Sequence, residues 1–188
     1  MTPAGRLTLV AVLTQAGLAA AALAGAALAD APVPWGLDRP VLATAAGVIV
    51  GALLAAVNLW LLHRRGGLWR RVRAAVDEVL VPTFSVLGSG QVVVVSVAAG
   101  IGEELFFRGW LQPLFGLPVA SVAFGLAHVA GSRMLAFGVW AAGMGVVMGS
   151  LALATGGILA SVTAHACYDV LAFHYLGAEA RRQAKQGA

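Results

Sequence analysis

The sequence predicts an all-α integral membrane protein, a bundle of about six transmembrane helices with one short interfacial amphipathic helix. Two compositional observations support this fold class: 60% of the 188 residues are hydrophobic, and only 11% are charged, too few for a soluble surface. A third is that apolar runs of about twenty residues recur along the chain. At about 1.5 Å of rise per residue, a helix of that length crosses the roughly 30 Å hydrocarbon core of a bilayer.

Six apolar segments are predicted to cross the membrane. The first resembles a secretory signal, because Arg6 precedes it and Ala27, Leu28 and Ala29 end it. It is longer than the roughly 7–15 apolar residues of such signals, which favours a retained helix. Glycine, proline or charged residues separate the segments, which cover residues 7–29, 41–62, 84–114, 117–131, 134–154 and 156–176.

A short amphipathic helix is predicted at residues 68–80, between the second and third spans. Its apolar side chains fall along one side and its arginines elsewhere, which is the pattern of a helix lying at the membrane surface. Pro82 is predicted to start the next element, because proline is favoured in the first turn of a helix. The apolar side consists of Leu68, Trp69, Val72, Val76 and Val79, and the arginines are Arg70, Arg71 and Arg73.

We expect a single membrane domain over residues 1–188. Residues 1–80 would hold two helices and the amphipathic linker, residues 80–176 the helical core with the candidate site, and residues 177–188 a basic tail. Five arginines lie between residues 63 and 73, which places that loop and both termini in the cytoplasm by the positive-inside rule. Eleven arginines against one lysine indicate a GC-rich bacterial genome, so we expect the bacterial inner membrane.

Charge and cysteine content narrow the classes of partner. The net charge is +4 and the pI about 10.2, but the basic residues lie between apolar runs and not on an aromatic face. We therefore expect the lipid bilayer as a partner and no nucleic acid. The single cysteine, Cys167, excludes an intrachain disulfide and is interpreted as a small packing residue.

Ionisable side chains within the predicted spans mark a candidate functional site, because they are costly to bury in a bilayer. Glu104 and Arg108 are four residues apart on one helix, the spacing of an ion pair that lowers the cost of burying both. Glu103 projects about 100° away from Glu104 and has no cation on its own face, which suits a catalytic acid or base. The full set is Glu103, Glu104, Arg108, His128, His165 and Asp169.

Three of these side chains are predicted to share one depth near the middle of the membrane. Glu103 lies about 12 residues before, and His128 about 12 residues after, a turn expected near residues 115–116. His165 lies about 9 residues after a second turn, near residues 155–156, on the same side of the membrane. Asp169 lies one helical turn deeper on the face of His165.

The residue types alone leave several kinds of site open. Two histidines on facing helices could hold a haem, and a glutamate with two histidines could hold zinc. The helical His-Glu-x-x-His zinc signature is absent from the sequence. His63 and His174 lie near predicted helix ends and are interpreted as hydrogen-bonded packing residues.

Three sequence motifs resemble those of the CAAX-protease and bacteriocin-processing family, also called the Abi family. Residues 103–109 (Glu-Glu-Leu-Phe-Phe-Arg-Gly) resemble its Glu-Glu-x-x-x-Arg motif, and residues 124–128 (Phe-Gly-Leu-Ala-His) its Phe-x-x-x-His motif. Residues 165–169 (His-Ala-Cys-Tyr-Asp) resemble its His-x-x-x-Asn/Asp motif. The motifs occur in the family's order over about residues 80–176, with Asp169 where prenyl-protein peptidases of the family usually have asparagine.

The resemblance implies an intramembrane endopeptidase. Glu103 would activate a water molecule with help from His128, while His165 and Asp169 would stabilise the oxyanion. An ionised Asp169 would act mainly by orienting His165 and stabilising its imidazolium. Glu104 and Arg108 would support the site. A glutamate mechanism without a cofactor is the favoured hypothesis, and zinc is the alternative.

The implied substrate is a membrane-anchored protein or peptide, cleaved near its C-terminus. The family includes prenyl-protein peptidases and also sorting-type enzymes such as myxosortases, which this short chain resembles in lacking an obvious soluble domain. The alternatives are a non-catalytic immunity or scaffold protein of the family, or a haem-binding membrane protein that uses His128 and His165. We expect access to the site from the non-cytoplasmic face, because the short fourth span would leave that end less covered.

Overall fold

The computed structural model describes residues 1–64 and 66–186, and these residues are helical without a β-sheet. The predicted all-α fold class is confirmed. Arg65, one of the five arginines used for the orientation, lies outside the described residues, as do the last two residues of the predicted tail. The α-helices are α1 (Pro3–Leu28), α2 (Pro40–Leu62), α3 (Gly67–Ala75), α4 (Val81–Phe84), α5 (Ser89–Glu104), α6 (Gln112–Ala127), α7 (Leu135–Thr155) and α8 (Leu159–Gln186).

Within the described part of the chain, four helical stretches are long and apolar enough to cross a membrane. They are Pro3–Leu28, Pro40–Leu62, Ser89–Ala127 and Ser132–Thr155. The third stretch contains 39 residues, which is far more than one crossing needs. It is built from α5, a π-helical segment at Leu105–Leu111, and α6.

The chain reverses direction within the third stretch. Gly116 has φ 81° and ψ 166°, a backbone conformation that is essentially restricted to glycine. The rings of Phe107 and Phe124 lie 5.1 Å apart, whereas 17 residues of straight helix would separate them by about 25 Å. The turn predicted near residues 115–116 is therefore confirmed.

The returning arm is shorter than the predicted fourth span. It consists of residues 117–127, because α6 ends at Ala127 and His128 is its C-cap. At about 16 Å of helical rise, this arm reaches only half-way across a bilayer. The apolar residues that follow it are not helical, and Gly131 has a positive φ of 97° before the short turn that leads into α7.

The amphipathic helix forms as predicted and extends further than expected. It continues from α3 through a π-helical segment, Val76–Leu80, into α4. Its apolar side packs on the ends of α2 and α8, in a cluster of Leu62, Val72, Val76, Val81 and Leu176. Pro82 lies in the first turn of α4, as predicted for the start of an element, but the long third stretch begins only at Ser89, after Gly88.

Helix pairs α1/α5 and α2/α8 run parallel and place the helix ends on two sides. Gln91 of α5 donates a hydrogen bond to Thr8 near the start of α1, while Gly25 near the end of α1 packs on Trp110 of the π-helical segment that continues α5. On that second side, the loop after α1 meets the start of α8, because Ile158 N–H donates to the Pro34 carbonyl at 2.8 Å. The alternation of the helices therefore agrees with the sequence, and the cytoplasmic placement of the termini stays a prediction.

Candidate active site

Glu104 forms the buried centre of the candidate site. It is the last residue of α5, and its side chain has no exposed surface. One carboxylate oxygen, Oε1, accepts hydrogen bonds from Arg108 Nη1 and from His165 Nδ1, both at 2.8 Å. The predicted ion pair of Glu104 with Arg108 is therefore present, and the same carboxylate also orients His165.

Arg108 connects three helices around this centre. Its Nη2 donates to the Gly145 carbonyl of α7 at 3.2 Å, and its guanidinium lies 4.3 Å from the ring centre of Phe124. Its side chain is 1% exposed. Arg108 lies in the π-helical segment Leu105–Leu111, and such wide turns are frequent at functional sites.

His165 has one ring nitrogen held and the other directed into the site. Because a carboxylate oxygen only accepts, the 2.8 Å contact with Glu104 assigns the proton to Nδ1. Its Nε2 lies 3.9 Å from Glu103 Oε2 and 3.6 Å from Asp169 Oδ2. The sequence predicted that Asp169 orients His165, but the structure places Glu104 at the orienting nitrogen and Asp169 beside the free one.

His128 reaches the same point from the opposite helix. Its Nδ1 lies 2.8 Å from the Phe124 carbonyl, which only accepts, so Nδ1 carries a proton, and in the neutral ring Nε2 offers a lone pair. That Nε2 lies 3.8 Å from Glu103 Oε2. The His128 side chain is 28% exposed, the most of the site residues facing Glu103, because α6 ends here.

Glu103 has one oxygen held and the other directed at the two histidines. Its Oε1 accepts a hydrogen bond from Gln15 Nε2 at 2.8 Å, and its Oε2 is buried without a hydrogen-bond partner. The separations of 3.8 and 3.9 Å from Oε2 to the histidines exceed a direct hydrogen bond and suit a bridging water. The predicted convergence of Glu103, His128 and His165 at one depth is thus present.

Gln15 is a site contact that the sequence reasoning missed. It lies 88 positions before Glu103, on α1. The available signal was a polar amide within an otherwise apolar span, which is costly unless it has a partner. His63 and His174 each contact a carbonyl of their own helix, as predicted for hydrogen-bonded residues, but both side chains are exposed, so the prediction that they are packing residues was wrong.

The metal-binding capacity of the site follows from its donor atoms. One glutamate and two histidines are donors of the type that zinc takes. Ligands about 2.0–2.2 Å from one tetrahedral ion lie closer together than the 3.8 and 3.9 Å that separate Glu103 Oε2 from the two histidine nitrogens. Within the described residues, no group of three or more His, Cys, Asp or Glu is arranged to hold a metal ion.

A cavity of about 100 Å³ lies beside His128, His165 and Asp169. Its walls come from α2, α6, α7, α8 and the amphipathic helix, and they are mainly apolar. At one edge Asn58 Nδ2 donates to the Tyr168 hydroxyl at 2.8 Å, while the Asn58 Oδ1 is buried without a partner. The apolar part includes Leu59, Leu62, Trp140, Ala141, Met144 and Met148.

Comparison with known proteins gives a match to a family model. Residues 85–171 match the family model described as Type II CAAX prenyl endopeptidase Rce1-like. The matched stretch contains all three sequence motifs, which confirms the resemblance at the level of the family. No curated protein and no solved structure matches the chain significantly. The match gives no support to the haem-binding alternative. It also does not single out myxosortases within the family.

Proposed function

Because residues 85–171 form a domain of the CAAX-protease family, whose members are intramembrane proteases, we propose that this chain hydrolyses a peptide bond of a membrane-anchored protein. The attacking water would be activated by Glu103. The observation that carries this proposal is the unpartnered Glu103 Oε2, which faces the free Nε2 atoms of His128 and His165. A base, a second polar group and an oxyanion donor around one point are what peptide hydrolysis needs.

In the proposed reaction, water binds between Glu103 Oε2 and His128 Nε2. Glu103 takes one proton of the water while the water oxygen attacks the peptide carbonyl carbon. The π electrons of the carbonyl bond move onto the carbonyl oxygen, which becomes the oxyanion. A protonated His165 donates from Nε2 to that oxyanion. When the tetrahedral intermediate collapses, the C–N bond breaks and Glu103 returns the proton to the leaving amine.

The remaining polar residues support this chemistry by position. Glu104 fixes the ring orientation of His165 through Nδ1, and Arg108 neutralises Glu104. Asp169, 3.6 Å from His165 Nε2, supplies a negative charge that stabilises the imidazolium form. This role requires a negative charge, which aspartate has and asparagine lacks, and it does not use the N–H donor that asparagine would supply. It therefore accounts for aspartate at position 169.

We propose that substrate enters from the side of the amphipathic helix, which reverses the expectation from the sequence. The short arm, residues 117–127, lies next to the Gly116 turn and fills that half of the bundle. The opposite half is the less filled one, and both the partly exposed His128 and the cavity lie towards it. By the positive-inside rule this is the cytoplasmic half.

The test of the proposed function is a comparison of membrane proteins from cells with the gene, without it, and with the Glu103→Gln variant. The termini of each protein are mapped by mass spectrometry. We expect one or a few membrane-anchored proteins to keep a C-terminal segment in cells without the gene and in cells with Glu103→Gln, and to lose it in cells with the wild-type gene. Identical termini in all three cells would contradict the proposal.

Metal independence is a second expectation for the purified enzyme. Dialysis against a strong chelator should leave cleavage of the substrate peptide unchanged, because the proposed steps use only side chains. Elemental analysis should find well below one metal ion per chain. Stoichiometric zinc that restores activity after chelation would replace this mechanism by one in which zinc activates the water.

We propose that the cavity receives an apolar side chain of the substrate next to the cleaved bond. Ala141 is 1% exposed and lines this cavity, so Ala141→Leu should fill part of it. We compare two peptides that carry leucine or alanine next to the cleaved bond. In Ala141→Leu we expect the ratio of kcat/KM for the leucine peptide to that for the alanine peptide to fall by roughly 10-fold or more, the effect of a few methylene groups in an apolar pocket. Val146→Leu, on the exposed face of the same helix, is the control. An unchanged leucine-to-alanine preference in Ala141→Leu contradicts the assignment.

A further inference from the structure

The first helix contributes a side chain to the candidate catalytic glutamate, although α1 lies outside the matched residues 85–171. Gln15 Nε2 donates to Glu103 Oε1 at 2.8 Å. No other described side chain forms a hydrogen bond with that oxygen. We infer that Gln15 is a positioning residue for Glu103, so that the active site includes α1. This inference rests on the proposed role of Glu103 as the base.

The contact is held by close packing of the two helices. A Cβ atom on Gly102, the residue before Glu103, would lie 2.6 Å from the backbone oxygen of Gln15. Only glycine therefore allows this approach, because any larger residue would push α1 away. The same parallel helices are tied further along by Gln91 Nε2, which donates to Thr8 Oγ1 at 3.1 Å.

The chemistry of the contact determines which oxygen of Glu103 reacts. An amide N–H is a donor, so it is matched to the carboxylate form of Glu103, whose oxygens only accept. Holding Oε1 leaves Oε2 as the free oxygen, and Oε2 is the atom that faces His128 and His165. Without Gln15, the carboxyl group is free to rotate, and neither oxygen is fixed opposite the two histidines.

Each helix packed around Glu103 places different polar groups near its carboxyl group, and Gln15 is the one that comes from α1. From α6 and α8 the carboxyl group faces His128, His165 and, further away, Asp169. Its own helix carries Glu104, whose charge is already paired with Arg108. Gln15 is thus the contact through which α1 acts on the base.

The experiment compares Gln15→Leu with a matched control, Thr8→Val. Leucine preserves the approximate size of Gln15 and suits an apolar helix but removes the amide, whereas valine removes the other side-chain hydrogen bond between the same helices. With the substrate peptide, we expect Gln15→Leu to lower kcat by about 10- to 100-fold with KM unchanged, the effect of one hydrogen bond to a charged group. Thr8→Val should keep wild-type kcat and KM.

A second measurement needs no substrate. Dicyclohexylcarbodiimide is an apolar reagent that couples to carboxyl groups inside membranes, and mass spectrometry locates the coupled residue. We expect Glu103 to react about 10-fold faster in Gln15→Leu than in the wild type or in Thr8→Val, because its carboxyl group has lost a donor.

The outcomes separate this inference from the proposed function. Wild-type kcat and wild-type labelling in Gln15→Leu overturn the positioning role. Equal losses in Gln15→Leu and Thr8→Val, or a loss confined to KM, also overturn it, because they indicate helix packing alone. If no membrane protein differs between cells with and without the gene, the proposed function fails, whereas wild-type cleavage by Glu103→Gln removes only the role of Glu103 as the base. In either case the labelling rates alone decide whether Gln15 positions Glu103.

Discussion

Replacing Glu103 by glutamine is expected to lower turnover by at least roughly 10²-fold, the lower range for loss of a general base. Glutamine has the same shape as glutamate and keeps an oxygen that accepts the Gln15 hydrogen bond. It has no basic oxygen to take a proton from water at the point where His128 and His165 converge. Initial rates of peptide cleavage in detergent, measured at equal concentrations of folded protein, give the comparison.

The control for this variant is Glu78→Gln, which makes the same chemical change at a side chain that is 56% exposed and pairs with the exposed Arg133. It should cleave at the wild-type rate. Thermal unfolding should be similar for Glu103→Gln and wild type, because glutamine can keep the hydrogen bond from Gln15 and the buried Glu104–Arg108 pair is untouched. Near wild-type turnover in Glu103→Gln would remove Glu103 from the reaction.

Arg108→Ala is expected to affect the fold as well as the reaction. It leaves Glu104 as a buried carboxylate without its guanidinium partner, and breaking such a pair costs about 3–5 kcal/mol. It also removes the hydrogen bond to the Gly145 carbonyl and the contact over the Phe124 ring. We expect a clearly lower unfolding temperature, poor accumulation in membranes, and loss of cleavage because His165 is no longer held.

Arg133→Ala is the matched control, because Arg133 lies 3.8 Å from Glu78 with a side chain that is 80% exposed. Exposed pairs of this kind contribute little to stability, so this variant should unfold and cleave like the wild type. A stable but inactive Arg108→Ala would give a different result, in which Arg108 acts on the reaction directly and has little structural role.

Much of the fold follows from the sequence because crossing a bilayer imposes a strong length and polarity requirement. The reversal at Gly116 was predictable from the turn signals of Gly116 and Pro118 between two apolar runs. The early end of α6 at Ala127 was not, because Val129 and Ala130 continue the apolar run and the next stop signal, Gly131, comes four residues after Ala127. Tertiary packing decides there, since Gly125 and Val129 both pack on Gly138 of α7.

The candidate site was predictable in depth and less so in rotation. Counting residues from two turns placed Glu103, His128 and His165 level with one another, and helical rise makes such counting dependable. The rotation of each helix about its axis determines which side-chain atoms meet. This rotation could not be predicted from residue spacing, because the π-helical segment after Glu104 changes the direction in which the residues on either side of it project. For that reason Glu104 and Gln15 appeared as contacts of His165 and Glu103 only in the structure.

The half-length arm, residues 117–127, also matters for the surrounding lipid. Its outward side chains are apolar, with Val119, Val122 and Leu126 each more than half exposed, but this apolar surface stops after about 16 Å. Lipid chains beside it therefore meet a hydrophobic mismatch, which bilayers accommodate by thinning locally. Arg133, exposed just beyond the arm, draws head groups towards this edge. A substrate anchored in the membrane would thus move through a shorter layer of hydrocarbon to reach Glu103 than it would elsewhere around the bundle.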